Sequence, residues 1–432
     1  MIKLISILVF LVLLSSVYQD FPLINTYGEL ARSPVVFFTP FMLLYLGLFK
    51  RIFISHYVKV FMLYIFYLIV LSIIFTVFFI LRVEAFSLFE ENVLIKTIKM
   101  SLYPLVSIVL YLFIFNYLKS NDNFIFSLAK QIYFIQLLLL TILIIEWTQL
   151  SDGYTIFHYL HSSQRLYWRI RLLTLESSWS GSIAVVFSLL PVYFVNQNIL
   201  KYKKNLVFLT SFSFLVLYSI SSESKGYLLL FMISILPNLA KTINKSQYRK
   251  YILPAIIVGV FVLSAVFANL YDNIVEQFYT SITFGTRFSS YIASARVLVF
   301  HPFGVGLGPY IYYYTESIKA VIDTGWMNVF NLNEISGYLI TTNALSTKTY
   351  FFDQLMFGGI GFLIFFHQFF YLRYKRLTKD PSAGTLKVIL IFLILSGMLY
   401  ITYHVKYEVW IFLAIIDYLE TNKGHKIVKN EK

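Results

Sequence analysis

Residues 57–81 read YVKVFMLYIFYLIVLSIIFTVFFIL, and Lys59 is the one charged residue among them. A helix rises about 1.5 Å per residue, so about 20 mainly apolar residues cross the hydrocarbon core of a bilayer. This stretch is long enough. Working outward from it, the same rule gives about twelve spans, near 3–18, 34–49, 57–81, 98–118, 124–149, 178–196, 205–221, 226–240, 251–270, 349–372, 386–403 and 406–420. The second, eighth and last are short. The start, MIKLISILVFLVLLSSVYQD, has the charge and apolar core of a signal peptide, but no small-x-small cleavage site follows it, so it reads as an uncleaved first span. Composition agrees: 59% of the 432 residues are apolar and 13% are charged, against about 25% charged in a soluble domain. The expectation is an all-α polytopic membrane protein, residues 1–432 forming a single integral membrane domain.

The formal charge of +14 does not point to nucleic acid, because the cations are scattered between apolar spans rather than gathered on one polar domain. It reads as a topology signal. With the N-terminus inside, 22 of the 35 Lys and Arg fall in or beside inner segments and 13 in outer ones, the bias that keeps positive loops cytoplasmic. Even parity then places both ends in the cytoplasm. Two long outer segments remain, a basic loop at 150–178 and a large loop at 271–348, between the ninth and tenth spans, big enough for a small external subdomain. The absence of cysteine excludes disulfides, a thiolate nucleophile and zinc thiolate sites.

The first outer segment carries RLYWRIRLLTLESSWSGS, Arg165 to Ser182. A single arginine at a helix end commonly reaches for lipid headgroups, but three within seven residues concentrate charge. An extended segment would put Arg165, Tyr167, Arg169 and Arg171 on one face, while a helix would still align Arg165 with Arg169. Guanidinium presents a planar fork that matches phosphate oxygens, which suits a lipid-linked pyrophosphate. Lys225, Arg287, Arg296 and Lys348 lie on the same predicted side. Glu176 is the carboxylate nearest the arginines in sequence, suited either to accept a proton from an acceptor hydroxyl or to neutralise and orient its neighbours. His158 and His161, three apart, read as interfacial polar residues. Tyr310, Tyr312, Tyr313 and Tyr314 offer rings for sugar stacking or for the membrane interface. Lys130, Glu146, Asp353 and Glu408 lie near predicted span ends, within reach of the polar interface. Asp152, Asp272, Asp323 and Asp353 are isolated in sequence, so no paired-aspartate metal site is expected.

Taken in order, Arg171 with LESSWS, the SKG turn at 224–226, GTRFSSYIASARVLVFHPFGVGLG at 285–308 and STKTYFFDQLMFGGIGFL at 346–363 resemble the O-antigen polymerases and related O-antigen ligases of bacterial envelopes. That superfamily is polytopic, with a C-type glycosyltransferase architecture. Thr347 and Lys348 stand where ligases commonly carry a His-Asn pair, Met356 where a glutamate is frequent and Thr174 where most members have glycine, which favours polymerase over ligase. The resemblance implies a glycosyltransferase of the bacterial inner membrane that joins polyprenyl-pyrophosphate-linked repeat units at the periplasmic face. Arg171, Glu176 and Arg287 would serve catalysis, while Arg165, Arg169, Lys225, Arg296 and Lys348 would hold donor and acceptor phosphates. No metal or cofactor is implied. The implied partners are the lipid-linked glycan donor and acceptor, membrane lipids and a chain-length regulator. A lipid-linked oligosaccharide flippase is the rival reading, followed by a non-catalytic scaffold.

Overall fold

The computed structural model describes residues 2–49, 51–150, 155–163, 167–243, 279–325, 329–342 and 345–430. Arg165 and the predicted span at 251–270 lie outside the described residues. The elements in chain order are helices α1 (Ile2–Val17), α2 (Val35–Gly47) and α3 (His56–Val83), a small hairpin of β1 (Ser87–Leu88) and β2 (Glu91–Asn92), then α4 (Val93–Ser120), α5 (Phe124–Thr148), α6 (Ser177–Asn196), α7 (Lys204–Ser221) and α8 (Lys225–Ile243). They continue with α9 (Ile282–Phe300), α10 (Tyr310–Asp323), α11 (Tyr350–Phe366), α12 (Leu372–Lys379), α13 (Gly384–Leu399) and α14 (Tyr407–Asn430). Helix α11 runs through a π-helical turn, His367–Tyr371, into α12. Among the described residues seven helices are long and apolar enough to cross a membrane, and α1, α2 and the apolar part of α8 are shorter ones. The chain is thus an all-α polytopic membrane protein. Each predicted span with described residues falls on a helix; those at 349–372 and 386–403 have helices that end earlier, α11 at Phe366 and α13 at Leu399, and the one at 406–420 has a helix, α14, that runs on to Asn430.

The helices pack as two units, one formed by 1–62, 102–232 and 368–432, the other by 63–101 and 233–367. At the centre of the first lies α6, against α5, α7, α13 and α14. Ser177, Ser180, Gly181, Ser182, Ala184 and Ser188 are all buried along it. Small side chains let helix backbones approach closely where lipid supplies no hydrophobic drive between helices. Loops read from the sequence as outer meet at one end of this unit: the Gln19 amide donates to the Leu173 carbonyl at 2.8 Å, and Lys406 reaches Gln19 Oε1 at 2.7 Å. Segments read as inner meet at its other end, where Ser55 donates to Asp417 at 3.2 Å and Lys119 to Asn422 at 2.8 Å.

In the second unit α9 packs on α10 and on α11. Helix α11 is broken at Gly359, whose φ of +53° and ψ of −132° are not helical. The turn between α9 and α10 fills the break. Val305 N donates to the Met356 carbonyl at 3.1 Å, Gly306 N to the Phe357 carbonyl at 2.9 Å, and Ile360 N to the Pro302 carbonyl at 2.8 Å. Ser72, close to the midpoint of α3, accepts from Leu307 N at 2.7 Å. Two interrupted backbones therefore satisfy each other, as backbone groups must where water is scarce. Gly304 and Gly306, with φ of +88° and +81°, give the turn its left-handed path. Among the described residues of the segment read as an outer loop, 271–348, are α9, this turn, α10 and a short helix at Asn333–Gly337. Tyr310, Tyr313 and Tyr314 of α10 are buried, Tyr310 against Phe357 at 4.9 Å and Tyr313 against His301 at 4.6 Å, so these three offer no stacking face, while Tyr312 is half-buried.

Gly359→Ala should lower the thermal midpoint of the detergent-solubilised protein clearly. A Cβ there would sit 2.2 Å from the Pro302 carbonyl oxygen, and the left-handed backbone alone costs about 1–2 kcal/mol for alanine. Gly337→Ala, with nothing within 4 Å, should leave it nearly unchanged. Equal midpoints for the two variants, read by size-exclusion after heating, would refute the account of the break.

Candidate functional site

The end of the first unit where the predicted outer loops meet is built on the segment 170–174. Ile170 N donates to the Ser221 carbonyl at 3.4 Å, Leu172 N to Glu146 Oε2 at 3.0 Å, and Gln19 pairs with Thr174 in a parallel bridge. Leu172 adopts a positive φ of 50°, which reverses the chain. Thr174 closes the reversal by donating from N and Oγ1 to the Arg171 carbonyl, at 3.0 and 2.9 Å. The segment is thereby fastened to the ends of α1, α5 and α7, and Arg171 is held inward. Its guanidinium lies 4.9 Å from the centre of the Tyr167 ring, with Nη1 4.0 Å from Asp20 Oδ2. The Tyr167 hydroxyl in turn accepts from Ser177 N at 3.0 Å.

Asp20 is the hub of this arrangement. Fully buried, it lies 2.8 Å from His161 Nδ1 and accepts from the Ser162 hydroxyl. A hydrogen on Nδ1 satisfies Asp20 and leaves Nε2, which is buried without a hydrogen-bond partner, as a bare acceptor. Burial pushes the ionisation of His161 below its ordinary value, with the Asp20 hydrogen bond opposing the shift. The imidazole is therefore neutral near pH 7.

One residue away, Gln19 belongs to a second buried network. Its side chain donates to Glu408 at 2.5 Å and accepts from Lys406 Nζ at 2.7 Å. Lys406 also donates to the Trp179 carbonyl at 2.6 Å and stands 3.9 Å from Glu408, which accepts from Ser182 at 2.7 Å. Both charged side chains are fully buried. The Trp179 ring lies between two cations, Lys406 at 5.0 Å and Arg32 at 5.2 Å. Arg32 pairs with Glu29 through two bonds of 2.6 and 2.5 Å, and its remaining Nη1 is buried without a hydrogen-bond partner.

The predicted site residues are distributed as follows. Arg169 and Arg171 line one small crevice with Glu146, His158 and Tyr167. Arg169 is exposed, 3.6 Å from Glu223, whereas Arg171 is buried. Strict alternation of a basic and an apolar face is not what forms: the Leu172 reversal takes Arg171 inside and leaves Trp168 58% exposed. Glu176 stands exposed immediately before α6, with Ser178 Oγ 3.5 Å away. Asp20 lies 4.0 Å from Arg171, and Glu146 lines the same crevice. Lys225 is exposed at the first turn of α8. In the second unit Arg287 is half-buried on α9 and its Nε has no hydrogen-bond partner. Beside it in sequence, Thr286 donates to Glu334 at 3.2 Å, and Lys348 lies 3.3 Å from the same carboxylate. Arg296 is exposed, nine residues on and so on the opposite face of α9, its guanidinium 4.9 Å from the Phe300 ring. The two arginines therefore do not share a face of α9.

Asp20, His161, Arg32, Lys406 and Glu408 are the residues that sequence reasoning missed. His161 is buried and paired rather than interfacial. Glu146, Asp353 and Glu408 do not reach for the interface either; all three are buried, and only Lys130 of that group is exposed. Their short side chains cannot span several ångströms to water, so each is met instead by donors: Leu172 N at Glu146, Thr347 N and Oγ1 at Asp353, each at 2.8 Å, and Ser182, Gln19 and Lys406 at Glu408. The one local signal was Lys406 and Glu408 in KYE, two opposite charges at the head of an apolar run. Among the described residues no three His, Asp or Glu side chains converge as a metal site would need.

Fold and burial together define an integral membrane protein of many helices with a buried ionic cluster at one end of its first unit. The chain is 25% identical over 264 residues to an uncharacterized 49.5 kDa protein in the cps region of Klebsiella pneumoniae, covering 59% of this chain and 58% of that one. It therefore spans less than two thirds of the relative it matches. No family model matches the chain, and no solved structure does.

Lys406→Met or Glu408→Gln alone should destabilise the protein by about 3–5 kcal/mol, because each leaves a buried charge uncompensated. The double variant should cost less than the sum of the two. Chemical unfolding of the three variants in detergent measures the coupling, and additive losses would show that the two charges do not act as a pair.

Proposed function

We propose that the chain is a glycosyltransferase of bacterial surface polysaccharide assembly, of the O-antigen polymerase type, acting at the periplasmic face of the inner membrane. Three lines support the reading. The relative in a cps region associates the chain with a capsule polysaccharide cluster. The motif order from Arg171 to Gly361 resembles that of the polymerases. The observation that carries it is Arg171, buried 4.0 Å from Asp20 and lining a crevice with exposed Arg169 where the predicted outer loops meet.

Transfer of a glycan from polyprenyl pyrophosphate breaks the bond between the anomeric carbon and the phosphate oxygen, and negative charge grows on that oxygen as it departs. A cation fixed in place before reaction stabilises the departing group more than the bound substrate. Arg171 is fixed in this way by Tyr167, Asp20 and the Leu172 reversal. An incoming diphosphate would meet this guanidinium in the crevice it shares with Arg169. Arg169 would take the donor phosphates from the open side. Glu176, exposed at the head of α6, would accept the proton of the attacking hydroxyl. By the same resemblance Arg287 belongs to the proposal as a second charge stabiliser, and Arg165, Lys225, Arg296 and Lys348 as holders of substrate phosphates.

A flippase is the second reading, favoured by the ion pairs buried at both ends of the first unit, Lys406–Glu408 and Arg373–Asp417. Both pairs are held by several hydrogen bonds, which suits fixed supports better than a moving ion path. The surface glycan of a gene-deletion strain separates the readings. One repeat unit on the lipid core means polymerase, bare core with lipid-linked polymer means ligase, and material retained inside means flippase. Arg171→Lys and Arg287→Ala should reach the membrane in normal amount yet lower polymer formation by about 10²–10³-fold, the usual loss when a fixed charge stabiliser is removed. A normal polymer ladder from both variants would reject the assignment.

A further inference from the structure

A cavity of about 900 Å³ lies in the first unit at the opposite end from Arg171, where the segments read as inner meet. Its edge is a built feature. The extended stretch before α3 is clamped by Asn116, fully buried on α4, which accepts from Phe53 N at 2.7 Å and donates to the Phe53 carbonyl at 3.0 Å. Its floor carries a closed ion pair. Arg373 Nε and Nη2 each reach an oxygen of Asp417 at 2.8 Å, Ser55 and Tyr111 donate to the same carboxylate, and the guanidinium lies 4.0 Å from the Tyr57 and Phe369 rings.

The rim is basic. Arg51, Lys59, Lys119, Arg376 and Lys379 line the cavity against three carboxylates, Asp380, Asp417 and Glu420. Asp417 is neutralised by Arg373, Asp380 accepts from Ser382 N and Oγ at 2.8 and 2.7 Å, and Glu420 faces Arg376 at 3.7 Å. Among the described residues Arg51, Lys59 and Lys379 have no carboxylate within 4.0 Å, so positive charge is left over. Inside, Phe53, Phe115 and Ile416 make the wall apolar, while the hydroxyl of Tyr57, a residue 2% exposed, is buried without a hydrogen-bond partner. A buried hydroxyl without an acceptor is costly unless something supplies one.

We propose that this cavity binds a phosphate-bearing anion, in the first place the headgroup of an anionic lipid, whose glycerol and upper chain occupy the apolar wall. The rim cations draw the phosphate, the Tyr57 hydroxyl donates to it, and a zwitterionic headgroup, whose own cation meets the rim, is disfavoured. The site stands apart from the glycan chemistry proposed above and does not depend on it.

Native mass spectrometry of the delipidated protein tests this with phosphatidylglycerol, phosphatidylcholine and inorganic phosphate as probes. Phosphatidylglycerol should be retained at concentrations where phosphatidylcholine is not. The exposed double variant Lys59→Gln/Arg376→Gln should weaken phosphatidylglycerol roughly thirtyfold, at about fivefold per cation near an anionic surface, and leave phosphatidylcholine unchanged. Tyr57→Phe should weaken it too, and the melting profile without lipid should be that of the parent for each variant. Displacement of the lipid by millimolar inorganic phosphate would assign the site to a soluble phosphate compound, and retention would assign it to lipid. Equal retention of the two lipids together with no binding of inorganic phosphate, or wild-type phosphatidylglycerol binding in the double variant, overturns the proposal.

Discussion

Gly359 breaks α11, and the carbonyls of Met356 and Phe357 that lose their helical partners are taken by the amides of Val305 and Gly306. Ile360 N, freed by the same break, goes to Pro302. An unmet buried backbone group is costly wherever water cannot reach it. Each irregular stretch is therefore possible only because the other is there. The packing of α9, α10 and α11 follows from it, since the turn that mends α11 is the one that joins α9 to α10. Glycine is required on both sides of the exchange for the same reason: a Cβ on Gly304 would lie 2.3 Å from the Phe357 carbonyl oxygen, and one on Gly359 2.2 Å from that of Pro302.

The first unit meets the same constraint with side chains. Asp20, Glu29 and Glu408 face Arg32, Arg171 and Lys406 at one end, and Asp417 faces Arg373 at the other. The two ends differ in geometry. Asp417 receives two guanidinium bonds of 2.8 Å and two hydroxyls, a closed pair that serves as a support. Asp20 is bonded to His161 and Ser162 and lies 4.0 Å from Arg171, a longer contact of charge with charge.

The spans were legible in the sequence because hydropathy is a local property and a bilayer demands an unbroken run. The start of α6, at Ser177, was within one residue of expectation, since ESSWSGS opens the apolar stretch with small polar residues. The partners were not legible. Asp20 and His161 are 141 residues apart, and Gln19 and Glu408 are 389 apart, so no window on the sequence holds both. Nearness along the chain is also a poor guide to position on a helix: Arg287 and Arg296 stand nine residues apart on α9, and nine residues of helix carry a side chain half a turn round.

The separation of Asp20 from Arg171 also explains why neutral His161 matters. Were the imidazole charged, it would compete with the guanidinium for the same oxygen, Oδ2. Burial keeps it neutral, so it orients the carboxylate without competing for it, and Asp20 in turn lies 4.0 Å from Arg171. On the proposed function the chemistry needs a guanidinium already in place before the diphosphate arrives, because a cation that must be ordered during the reaction loses part of what it could contribute.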